Sequence, residues 1–198
     1  MGSNNGPNDP VWHYHSNYDS YHWMSTFGDP GFHVHAAMGQ YLTLLTYHLL
    51  DDELLPFDLP VYAAELRAYY DDLVDSVAES GEQVDLSELE AAIEEFEGRT
   101  QEVKDLETLA VTLDDKDLIQ VVNKKKRDFQ RGFVSQGGLT NREFYRHVVA
   151  APGLDTGYAP VTFPGVTEAL LYYNVSVAQD WVSRSAAGIK RAGEILKT

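Results

Sequence analysis

Cysteine is absent from all 198 residues. That excludes a disulfide framework, a thiolate metal site and a cysteine nucleophile. Bases are scarce as well: 15 Lys and Arg face 31 Asp and Glu, a net charge of −16 that repels the phosphates of nucleic acids and of anionic lipids. No apolar run approaches the roughly 20 residues that a membrane-crossing helix needs. Neither a nucleic acid nor a membrane is expected as a partner of this segment. A Gly-rich phosphate loop, a Ser-centred nucleophile elbow, an H-E-x-x-H pair and a paired-carboxylate signature are all missing too. A chain of this length suits one domain with a substantial core.

What is present is helical periodicity. Asp29-Pro30 reads as an N-cap followed by proline in the first turn, opening a helix to about Leu50 that is rich in small residues at Ala36, Ala37 and Gly39. After the Pro56-Phe57-Asp58 corner, Leu59, Tyr62, Leu66, Tyr69, Leu73 and Val77 fall on one helical face. Asp85 with Glu88 reads as a capping box, and the 3-and-4 rhythm of Leu86, Leu89, Ile93, Phe96, Thr100, Val103, Leu106, Leu109 and Leu113 predicts a long helix. Leu118, Val122, Phe129 and Phe133 predict another, ending near Gly132. Residues 135–164, punctuated by Gly and Pro, read as a long loop with a short strand at 145–150. A short helix near 166–173 and a long one through Ala178, Val182, Ser185, Ile189, Ala192 and Leu196 close the chain. The expected fold is all-α: a bundle of about four to five long helices with a long irregular loop before the last helices.

Residues 1–28 are rich in aromatics and histidines, with a short helix predicted between Tyr18 and Phe27; Met1-Gly2-Ser3 reads as an added leader and the chain as a fragment. Six of the seven histidines precede residue 49, and His13-Tyr14-His15 and His33-Val34-His35 share an H-x-H spacing. In extended chain that spacing points two imidazoles the same way and can grip a metal. His33 and His35 fall at a helix start, where i and i+2 do not share a face. For His13 and His15 the plainer reading is surface or hydrogen-bonded histidines in an aromatic loop. Lys124 to Arg127 reads as a solvated basic face near acidic neighbours. Asn174-Val175-Ser176 satisfies the N-glycosylation sequon, which acts only if the parent protein is secretory.

Three segments in order carry a resemblance. Tyr14-His15-Ser16-Asn17-Tyr18-Asp19-Ser20-Tyr21 is similar to the stretch that ends the catalytic domain in the glutamate carboxypeptidase and transferrin receptor family. Leu55-Pro56-Phe57-Asp58 with Tyr62-Ala63 follows, then Phe144-Tyr145-Arg146-His147-Val148 with Ala151-Pro152, Tyr158-Ala159 and Phe163-Pro164-Gly165. With the helical pattern, the likeness runs from about Val11 to the end.

The resemblance implies a flexible leader and the end of a catalytic-domain segment over residues 1–28, and a transferrin receptor-like helical dimerisation domain over 29–198. It implies a homodimer, a preceding catalytic domain, a peptide substrate and two zinc ions in the parent, and no cofactor or catalysis for this chain alone. His15 matches a zinc-ligand histidine, Tyr14 a tyrosine whose hydroxyl faces the substrate, and Tyr158 a tyrosine that holds the substrate's terminal carboxylate. Gly157 stands where glutamate-specific members have lysine, so glutamate specificity is not carried over. His15 and the lack of an Arg-Gly-Asp point to the peptidase branch rather than the iron-uptake receptor. An extracytoplasmic or vacuolar, membrane-anchored parent is implied by the family alone. Two other readings stand beside this one: an autonomous histidine-rich zinc protein or small metalloenzyme, and a receptor-like ectodomain fragment that binds a protein partner.

Overall fold

A computed structural model describes residues 13–135, 137–154 and 157–197. The chain divides at Asp52 into two compact units. No described helix is long and apolar enough to cross a membrane.

The first unit holds a short helix α1 (Tyr21–Trp23), a π-helical turn (Met24–Gly28) and the 19-residue helix α2 (His33–Asp51). Ser20 caps α1 through its hydroxyl, which accepts from the Trp23 amide. The Asp29-Pro30 start lies elsewhere than the sequence predicts. Proline is not in the first turn; α2 begins at His33 behind Phe32, which takes a left-handed φ of 56°. Asp29 still satisfies the helix end, reaching forward to accept from the amides of Val34 (3.2 Å) and His35 (2.9 Å) and from His35 Nδ1 (2.6 Å). The His35 ring bond, seconded by these amides, pulls the Asp29 carboxyl down to about 2. Along α2 the Thr43 and Thr46 hydroxyls donate to carbonyls one turn back. No residue of α2 is buried.

The second unit is the bundle. Helices α3 (Leu59–Ser80), α4 (Ser87–Leu113), α5 (Lys116–Asp128), α6 (Pro164–Tyr172) and α7 (Val175–Leu196) surround one core, and a 3₁₀ turn (Phe129–Phe133) follows α5. At 27 residues α4 is about 40 Å long and packs on α3, α5 and α7. Asp58 and Asp115 cap α3 and α5. Gly81, at φ 71°, ends α3 in the left-handed conformation that glycine adopts without a Cβ clash.

The capping box at α4 is a correction. Helix α4 starts at Ser87, whose amide is held by Asp85, while Glu88 turns to Ser183 and Lys190 on α7. The tertiary contact replaces the local one. The short strand also moves: β1 (Ala150–Pro152) pairs antiparallel with β2 (Pro160–Thr162), and residues 145–149 stay irregular apart from a bridge between Val134 and His147.

The predicted faces are the buried ones. On α3, Leu59, Leu66, Leu73 and Val77 are buried; on α7, Ala178, Val182, Ser185, Ile189, Ala192 and Leu196 are. On α4 the face is buried from Leu89 to Val103, after which Leu109 and Leu113 emerge at 47% and 60% exposure. An aromatic cluster of Tyr62, Phe96, Phe129 and Phe133 joins α3 and α4 to the 3₁₀ turn, with Tyr62 and Phe129 edge to face at 5.1 Å. Burial pushes the Tyr62 phenol up to about 12. Close approach is needed at Gly165, where any Cβ would overlap the ring of buried Trp181 on α7.

Candidate functional site

Tyr14 and His15 sit in a tight turn of the first unit. Ser16 builds it: its amide and its hydroxyl both donate to the His13 carbonyl, at 3.0 and 2.7 Å, and its Oγ accepts from the Tyr18 amide. The turn holds His15 at a φ of 61°, a left-handed conformation uncommon outside glycine. The Tyr14 and His15 rings stack with centroids 3.7 Å apart, and both residues face solvent. His13 instead packs edge-on against Trp23 at 4.9 Å, so the two imidazoles of the first H-x-H play different structural parts. His33 and His35 are the first and third residues of α2, as predicted, and the His35 ring is engaged by Asp29.

Gly157 and Tyr158 belong to the second unit, in the connection from β1 to β2. Here Gly153 accepts from the Gly157 amide at 3.1 Å and donates to the Ala159 carbonyl at 2.9 Å, closing a small loop. Gly157 has φ 67°, with open space where a Cβ would stand. Tyr158 projects from the loop with 71% of its surface exposed. The sequence-predicted residues therefore form two pairs, Tyr14 with His15 and Gly157 with Tyr158, each on an exposed turn of its own unit.

Zinc requires several donors, and a two-metal centre requires more. Among the described residues no three His, Asp or Glu side chains converge as such a donor set. An imidazole is a good zinc ligand, so His15 is chemically suited to be one of several donors.

One functional-looking group was misread in the sequence. Lys126, assigned to a solvated basic face, is 4% exposed. Its ammonium meets Glu107 at 2.7 Å and donates to the Leu55 carbonyl at 3.0 Å, tying the 53–58 corner to α4 and α5. The spacing held the signal, since Lys126 follows Val122 by four and precedes Phe129 by three on the buried face. It lies beside a hollow of about 540 Å³ lined also by Phe57, Val61 and Tyr62.

Comparison with known proteins decides what the bundle is. The family described as the transferrin receptor-like dimerisation domain matches residues 84–197, which run from just before α4 to the end of α7. The chain belongs to this family. Among similar curated proteins, one from Arthroderma benhamiae named probable glutamate carboxypeptidase is 51% identical over 98% of this chain and 27% of its own length. The probable glutamate carboxypeptidase AMP1 of Arabidopsis thaliana is 32% identical over 97% of this chain and 28% of its own length. An inactive zinc metalloprotease of Schizosaccharomyces pombe is 26% identical over 88% of this chain and 23% of its own length. This dimerisation domain thus lies on the peptidase side of its family, and the chain spans about a quarter of the length of these relatives.

Proposed function

We propose that this chain is the homodimerisation part of a zinc-dependent exopeptidase of the glutamate carboxypeptidase type, inactive alone, and that it lends residues to the parent's catalytic machinery. The family match over the bundle carries the pairing function. For the site, the support is the turn that holds His15 at positive φ with its ring in solvent, where an unstrained loop histidine would not need to be. In the parent, zinc would polarise the scissile carbonyl and activate water. This chain would supply the His15 imidazole as one ligand. The Tyr14 hydroxyl would face the substrate, and the Tyr158 phenol would donate to the terminal carboxylate. Gly157 leaves the place of a side-chain cation empty, so the peptide substrate need not end in glutamate.

The segment that belongs with the catalytic part, on this reading, extends beyond residue 28 to Asp52. Helix α2 buries none of its own residues, although Val34, Leu44, Tyr47 and Leu50 are each more than half exposed. A 19-residue helix with so much apolar surface needs a partner to be stable.

The test is made in the complete protein. His15→Ala should remove zinc and lower kcat far more than His33→Ala, and the isolated chain should hydrolyse no acidic or neutral dipeptide. Equal effects of the two substitutions, or chelator-sensitive turnover by the chain alone, would overturn the assignment.

A further inference from the structure

We propose that Asn174 carries an N-linked glycan, which assigns the turn between α6 and α7 to the outer surface of the assembled protein. Asn174-Val175-Ser176 is the one Asn-x-Ser/Thr triplet in the sequence. The fold presents this triplet in the open. Asn174 is exposed with extended backbone, φ −160° and ψ 169°, and Ser176 is exposed two residues on. The two ends of the Asn174 amide have separate tasks. Its Oδ1 accepts from the Val177 amide at 3.0 Å and caps α7, while Nδ2 has no partner among the described residues. A sugar on Nδ2 therefore leaves the cap intact.

The donor is a polyisoprenyl-diphosphate-linked oligosaccharide. The bond from Nδ2 to the sugar's C1 forms as the bond from C1 to phosphate oxygen breaks. Polyisoprenyl diphosphate leaves with the electron pair, and Nδ2 gives up one of its two hydrogens as a proton. This inference rests on the extracytoplasmic parent that the family resemblance implies, and is independent of the pairing and zinc readings.

The experiment is peptide mapping of the protein isolated from the cells that make it, with no added leader. The Asn174 peptide should carry a hexosamine-based glycan that an N-glycosidase removes, converting Asn174 to Asp. Asn174→Gln and Ser176→Ala should each abolish the modification, and Ser176→Thr, which keeps the hydroxyl, should preserve it. Asn174→Asp keeps an N-cap acceptor, so it should lose the glycan while retaining the melting temperature of the deglycosylated protein. Recovery of the Asn174 peptide chiefly unmodified would overturn the proposal, as would a glycan that survives Ser176→Ala.

Discussion

The two units of this chain contain similar helices and treat them oppositely. In residues 13–52 the only buried residue is Asp29, and α2 leaves its valine, leucines and tyrosines in water. In residues 53–197 five helices converge on a continuous core that includes Phe96, Phe133, Ile93 and Ile189, each at most 1% exposed. The apolar faces of the second unit find one another; that of α2 finds no partner within its own unit. Helical periodicity thus reports that a face wants burial and says nothing about whether the partner lies in the same polypeptide segment.

Cutting the chain at residue 52 should break the comparison open most visibly. Residues 53–198 alone should keep cooperative thermal unfolding, because among the described residues their core draws on nothing before Leu54. Residues 1–52 alone should show little helix by circular dichroism, since an unpartnered helix of this length is marginal in water. A stable helical 1–52 fragment would mean that α2 needs no partner.

Lys126→Ala sharpens the comparison within the bundle. It removes the buried member of the pair, leaves Glu107 with Lys104 at 3.4 Å and takes a donor from the Leu55 carbonyl, and should lower unfolding free energy by roughly 3 kcal/mol in urea titrations. Lys124→Ala, on the solvated side of the same basic run, should change it by less than about 0.5 kcal/mol. Gly165→Ala should cost about 2 kcal/mol, because its new methyl group meets the Trp181 ring in a core with no room to yield. The smallest expected effect is one of pH. Burial holds the His147 imidazole below its ordinary 6.5, and its Nδ1 accepts from the amides of Val149 and Ala150. The unfolded chain binds a proton there first, so His147's contribution is fully present above pH 6.5 and is lost as pH falls toward the lower folded value. His147→Gln should flatten the slope of stability against pH in that window, and an unchanged slope would remove His147 as its source.

Much of this was legible in the sequence, for identifiable reasons. The apolar rhythm of α3, α4 and α7 located their buried faces because the helices are long enough to average over single residues. The faces failed where helix ends or tertiary contacts intervene, as at Leu109 and Leu113 at the end of α4 and at Glu88, which leaves its local cap for α7. The hairpin at 150–162 was obscured by its size, three residues per strand with a proline in each. The H-x-H spacing drew attention to His15 without giving it a role, and Tyr14, Gly157 and Tyr158 were visible through resemblance alone. Their positive φ values, 61° at His15 and 67° at Gly157, could not be read from composition or spacing.

The central claim is that the bundle pairs with a second copy of itself. Light scattering across a concentration series into the tens of micromolar, at low and high salt, measures this on the chain and on residues 53–198. The account predicts a mass twice that of the 22.2 kDa chain, with a matching doubling for the truncated bundle. Added salt should leave both dimers intact, because it screens the repulsion between two acidic chains, each of charge −16 in the full sequence. A single-chain mass for both proteins throughout the series would contradict it.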